Sequence, residues 1–145
     1  VCVDENFFKG VKMKKMALLT AGLLACAAVS AQTTPTDCFN KSATQVEYAA
    51  CLKTEMETLD TQYKNVVEQV MSQMRALDRV QKNKKATQAL TEANKAFQAY
   101  VKEECDLIET SYGSGSGAGA AGLSCRINLT RLRMGSLQHQ FLSAQ

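Results

Sequence analysis

Apolar residues recur at steps of three and four along most of this chain. Leu52, Met56, Leu59, Tyr63, Val66, Val70, Met74 and Leu77 form the first stripe, the spacing of one buried face on a long α-helix. Lys53, Glu55, Glu57, Asp60, Lys64, Glu68 and Arg75 occupy its other faces, as a solvated surface requires. Ser42 or Thr44 can cap this helix, and Glu47 stands three residues beyond Thr44, the spacing of a capping box. The polar stretch Gln81-Lys82-Asn83-Lys84-Lys85 then breaks the pattern, and its lysines read as a solvated turn. One continuous helix through it is the less favoured alternative.

A second stripe runs through Ala86, Leu90, Ala93, Phe97, Tyr100 or Val101, and Ile108. Residues 111–122 contain Gly113, Gly115, Gly117, Gly119 and Gly122, a density that predicts a loop because glycine loses the most backbone freedom in a helix. Ser124 can cap a third helix, whose stripe is Ile127, Thr130, Met134, Leu137 and Phe141. No segment has the alternation of a strand. Three such stripes bury one another most simply as a small all-α, antiparallel helical bundle of about three helices.

The first thirty-one residues read differently. Lys14 and Lys15 follow Met13, an apolar run extends from Met16 to Val29, and Val29-Ser30-Ala31 precedes the polar Gln32-Thr33-Thr34-Pro35. This is the layout of a secretory signal peptide over residues 13–31, with cleavage expected after Ala31. The run is shorter than the roughly 20 residues of a membrane span. Residues 1–12 have no place in an export signal and read as an over-called start. A rival route is lipidation of Cys26 in Leu23-Leu24-Ala25-Cys26, which would anchor the protein to a membrane. The expected mature domain is residues 32–145, periplasmic or secreted.

That boundary changes the charge. The whole chain is +3, but residues 1–31 take with them Lys9, Lys12, Lys14 and Lys15 against Asp4 and Glu5, which leaves +1. No basic stripe with interleaved aromatics remains to suggest nucleic acid. The cysteines left are Cys38, Cys51, Cys105 and Cys125, and four in an exported domain imply two disulfides. The sequence leaves their connectivity open. Sequential pairing is preferred: Cys105 and Cys125 flank the glycine-rich segment, and Cys38 reaches Cys51 if the chain folds back before the cap. Each bond would close a loop worth ~3 kcal/mol.

Chemistry is sparse. The cysteines are too widely spaced for paired metal ligands and His139 is the lone histidine, so neither a metal site nor a nucleophile with its base is expected. The glycine-rich segment lacks the Gly-Lys-Ser/Thr ending of a phosphate loop. The Asn128-Leu129-Thr130 sequon falls inside a predicted helix and is discounted. No cofactor and no enzymatic activity are expected.

With these elements placed, residues 37–142 resemble the lysozyme inhibitor LprI-like family of secreted bacterial proteins. The resemblance rests on Asp37-Cys38 and Cys51 after Val46-Glu47, on Leu59-Asp60 and Tyr63, and on Ala93-Asn94-Lys95-Ala96-Phe97 leading through Tyr100 to Glu104-Cys105. It continues with the Gly-Ser segment and with Cys125 followed by Leu129-Thr130-Arg131 and Arg133 to Leu137. Where the family usually has Gln-Arg-x-Trp, this chain has Asn94, Lys95 and Phe97, and Val101 stands where an Arg is common. The resemblance implies a helical, disulfide-bonded domain and a protein partner, lysozyme for the family's namesake.

The candidate contact surface is the acidic run Glu103, Glu104, Asp106 and Glu109 with the neighbouring Gly113, Gly115 and Gly117. An inhibitor of a basic enzyme would use acidic groups or a loop that enters the cleft; a net charge near +1 offers little long-range steering. The alternative is an envelope interaction or maintenance protein that docks through Val67 and Met71 on the first helix.

Overall fold

The computed structural model describes residues 35–143, and every regular element in them is helical. The elements are α1 (Pro35–Lys41), α2 (Gln45–Gln81), α3 (Lys85–Ser111), α4 (Ala118–Leu137) and a π-helical turn (Gln138–Leu142) that continues α4. The expected over-called start, signal peptide, cleavage after Ala31 and lipidation of Cys26 lie outside the described residues. Tyr63 of α2 meets Asn94 and Phe97 of α3, while Asp78 meets Thr87, so these helices are antiparallel. Cys105 is bonded to Cys125, and Glu109 lies against Gly122, so α4 turns back along α3. The result is an up-down-up bundle with α1 folded onto the start of α2.

Local chemistry sets the boundaries. The capping box at the start of α2 is formed: the Glu47 N–H donates to Thr44 Oγ1 at 3.2 Å, and Glu47 Oε2 accepts from the Thr44 N–H at 3.3 Å. At the other end Lys82 takes φ 54°, ψ 38° and closes the helix in a left-handed turn. The start of α3 has no cap from its own N-cap residue, Lys84. Asp78 caps it from across the turn. Its carboxylate accepts from the Ala86 N–H at 2.9 Å, the Thr87 N–H at 3.0 Å and the Thr87 hydroxyl at 2.7 Å, which satisfies donors that a helix start leaves unpaired.

The core follows the first and third predicted stripes for most of their length, whereas in the second Leu90 is buried and Ala93 is exposed. Leu52, Leu59, Val66 and Val70 of α2 pack with Leu90 of α3 and with Ile127, Met134 and Leu137 of α4. Phe141 and Leu142 of the π-helical turn close over it. Thr130 is buried among them. Of the alternatives at the second stripe, Val101 is half-buried and Tyr100 is exposed.

Three expectations need correction. Leu77 does not continue the α2 stripe; it is 41% exposed, and Asp78 is buried in its place. The bundle narrows there to the α2–α3 hairpin, and capping α3 from α2 requires a carboxylate turned inward. The glycine-rich loop is shorter than residues 111–122, because α4 begins at Ala118. Alanines 118, 120 and 121 favour helix, and Ala120 and Gly122 are buried by packing, which overrides the cost of Gly119 and Gly122. Ser124 therefore lies inside α4 and caps nothing; Gly117 is the N-cap. The fold-back expected before the cap is made through α1, the short helix that contains Cys38 and brings it onto Cys51.

Gly122 marks the close approach of α3 and α4. A Cβ there would meet Glu109 Oε2 at 2.6 Å and Glu109 Cβ at 3.3 Å, whereas a Cβ at Gly135 would meet nothing within 4 Å. The carboxylate tip can swing away, but the Cβ cannot without moving the helix. Gly122→Ala is therefore expected to destabilise the domain by about 1–2 kcal/mol. Gly135→Ala should stabilise it by about 0.5–1 kcal/mol through helix propensity; urea denaturation of the two variants reads both signs.

The cap at Asp78 carries a pH dependence. Burial acts to raise its pKa, but the Thr87 hydroxyl and the Thr87 and Ala86 amides together outweigh burial and hold it below the ordinary 3.8. A pKa lowered by folding contributes stability above the ordinary value, and that contribution is lost as the pH falls through the folded value. Asp78→Ala should lower Tm at neutral pH, with the gap from the parent narrowing once the pH drops below the ordinary aspartate range. A gap independent of pH would show that the carboxylate is not the cap.

Candidate functional site

The end of the bundle opposite the α2–α3 turn gathers α1, the first turns of α2, the end of α3 and the start of α4. Two disulfides hold it. Cys38–Cys51 ties α1 to α2 with Cα atoms 5.6 Å apart, and Cys105–Cys125 ties α3 to α4 at 5.5 Å. Cys38 and Cys105 are fully buried. The Cys105–Cys125 bond sits at the base of the connection between α3 and α4. There Gly113, with φ 62°, makes the left-handed step that an L side chain would resist.

Between the two staples lies a groove of about 590 Å³ lined by Phe39, Tyr48, Glu104, Ile108, Tyr112 and Asn128, among others. Phe39 and Tyr48 meet edge to face, with centroids 5.9 Å apart and planes at 88°. Phe39 is 64% exposed and Tyr112 59%, so large aromatic faces stand at its rim. Glu104 and Ile108 of α3 and Tyr112, the residue that caps its end, fall at steps of four and so line one side together.

The helix distributes the predicted contact residues over different faces. Glu104 and Gly117 line the aromatic groove. Asp106, Glu109 and Gly113 line a separate hollow beside Ala118. Glu103 and Gly115 line neither and are exposed. Asp106 is occupied internally: Lys102 Nζ reaches its Oδ2 at 2.8 Å, and Arg126 Nη2 reaches its Oδ1 at 2.8 Å. The hydrogen bond from Lys102 leads the effects that lower the Asp106 pKa, with Arg126 assisting against burial. Asp106 in turn raises that of Lys102. Glu109 is folded over Gly122. Val67 and Met71, the alternative docking flank, are half-buried and pack on the core. His139 is exposed in the π-helical turn.

Sequence reasoning missed Phe39, Tyr48 and Tyr112 as groups that line the groove. Phe39 lies off the apolar stripes beside a cysteine, whereas Tyr48 and Tyr112 each stand four residues from a stripe member, Leu52 and Ile108, and so read as more of the core. Most residues that carried the family resemblance are structural. Tyr63 packs on Phe97 with centroids 6.0 Å apart, and the Arg133 guanidinium lies 5.8 Å from the Phe97 ring centre. Burial raises the Tyr63 pKa and Arg133 opposes it. Arg131 pairs with Glu55 across α4 and α2, both largely shielded from solvent.

Two disulfides closing a small helical domain suit an oxidising, extracytoplasmic compartment. No helix among the described residues is long and apolar enough to cross a membrane. The chain belongs to the lysozyme inhibitor LprI family, whose sequence model matches residues 38–137. No curated protein and no solved structure matches the chain. The matched span takes in all four bonded cysteines, α2, α3 and α4.

The Cys105–Cys125 bond closes a loop across a sequence separation of 20. Changing both cysteines to serine should cost about 3 kcal/mol in urea denaturation. Hydrogen exchange should also rise in residues 112–121, the wall of the groove. Unchanged protection there would mean that packing alone positions the start of α4.

Proposed function

We propose that this domain is a non-catalytic, secreted or periplasmic inhibitor that binds a lysozyme through the aromatic groove at its disulfide-bonded end. Membership of the lysozyme inhibitor LprI family carries the reading, and the groove supplies a surface suited to it. Tyr and Phe at an exposed rim offer large rigid contact area at small entropic cost, the usual make-up of a binding hot spot. Glu104 lines the same groove and gives a cationic group of a basic enzyme an acceptor within the contact. The residues from Gly113 to Gly117 stand beside it as the part that would enter the substrate cleft, whose two carboxylates perform the hydrolysis. Export through the signal peptide expected over residues 13–31 fits this compartment.

The test is titration of lysozyme's cell-wall clearing activity with the oxidised protein, next to a reduced and alkylated control. Dose-dependent inhibition that vanishes on reduction is expected. Phe39→Ala and Tyr112→Ala should each weaken it about tenfold or more, as hot-spot truncations do. Glu103→Ala, outside the groove, should leave it unchanged. Absence of inhibition at large molar excess, with helical circular dichroism intact, would sink the lysozyme reading and point to another envelope protein as the occupant.

A further inference from the structure

The turn between α2 and α3 is chemically unlike the rest of the molecule. Arg79, Lys82, Lys84 and Lys85 stand there, and no carboxylate among the described residues lies within ion-pair distance of any of them. Arg75, one turn lower, is held by Glu68 at 2.5 Å. Asp78, the only acid between residues 69 and 91, is turned inward onto Ala86 and Thr87. A groove of about 420 Å³ between the helix ends is lined by Arg75, Arg79, Lys82, Lys84 and Thr87 around it.

Two further observations point the same way. Val80 is 81% exposed, and Leu77, three residues earlier on the same side of α2, is also uncovered, so an aliphatic ridge reaches the tip among the cations. Lys82 occupies the left-handed position, which favours Gly or Asn. A lysine kept in a costly conformation is the kind of local strain that accompanies function.

We propose that this hairpin tip docks on an anionic phospholipid surface, with the four cations on lipid phosphates and Val80 and Leu77 entering the headgroup boundary. Cations ringing an exposed aliphatic ridge match that interface on both counts. A nucleic acid would satisfy the cations and leave the ridge in water, and no aromatic residue between 64 and 96 is there to stack on bases. The tip and the aromatic groove lie at opposite ends of α2, whose 37 residues span about 55 Å at the helical rise. Docking at the tip therefore leaves the groove clear of the surface. The proposal stands independently of lysozyme as the partner at the other end.

Co-sedimentation of the oxidised protein with phosphatidylcholine vesicles, with and without phosphatidylglycerol, tests it; comparing variants isolates the tip from whatever the rest of the chain contributes. The parent protein should pellet with the anionic vesicles only and be released by salt. Lys82→Gly should weaken that partition about fivefold, the contribution of one cation at such a surface. It should also raise Tm, because glycine adopts the turn freely. This pairing separates a binding role from a folding role. Val80→Ser should weaken binding as well, while Lys53→Gln, the same charge loss on α2 away from the tip, should not. The proposal is overturned by equal binding to neutral vesicles or by equal effects of Lys82→Gly and Lys53→Gln. Saturable binding of inorganic phosphate without vesicle binding, or tip-dependent self-association without lipid, would also overturn it.

Discussion

The close approach of α3 and α4 at Gly122 governs the rest of the architecture. Glu109 lies directly over that glycine, the Cys105–Cys125 bond follows one turn along, and Asp106 grips Arg126 beside it. Steric, covalent and ionic contacts thus fix both the separation and the register of the two helices. Register is the important part. With α4 held here, Ile127, Met134 and Leu137 enter the core against α2, Arg131 arrives at Glu55 and Arg133 at Phe97. A helix with five glycines in and just before its first turns has little propensity of its own, so tertiary contacts must determine where it starts.

The same constraint explains what family membership says about this chain. Tyr63, Phe97, Arg131, Arg133 and the four cysteines hold the bundle together, so within the matched span these residues form a scaffold. Phe97 packs on Tyr63 and beneath Arg133, so its ring ties α3 to both α2 and α4. Function has to be sought in what the scaffold presents at its ends. At the disulfide end, Phe39 and Tyr112 are exposed because α1 and the turn after α3 are each fastened by a neighbouring cysteine and not by burial of those rings.

The fold was legible in the sequence wherever one helix face stayed buried along its length. Leu52 through Val70 and Ile127 through Leu137 hold their predicted places because a three-helix core covers them. The reading failed where that condition lapsed. At Leu77 the third helix has run out, and the stripe gives way to a carboxylate serving another helix's amides, a long-range need that no local period encodes. At Ala118 to Gly122 the glycines signalled a loop, but a glycine required by close helix packing looks the same in sequence as one required by a turn. The acidic run is divided for a simpler reason: consecutive positions on a helix point about 100° apart, so Glu104 lines the aromatic groove while Asp106 and Glu109 line a separate hollow. The aromatic groove draws on α1, α2, α3 and α4, so its members became neighbours only once the bundle was assembled.

Net charge conceals the most informative electrostatic feature. A domain close to neutral offers no uniform field to steer a partner, yet its charges are sorted by position. The turn from Arg79 to Lys85 is cationic, whereas Glu47, Glu103, Glu104, Asp106 and Glu109 lie toward the disulfide-bonded end, accompanied there by Lys41, Lys102 and Arg126. The two groups are several screening lengths apart at physiological salt, so neither end feels the other. Each must be judged by its own surroundings. On that basis a basic partner at the groove and an anionic surface at the tip make compatible demands, because the long α2 helix separates them and the inward-facing Asp78 leaves the basic turn intact.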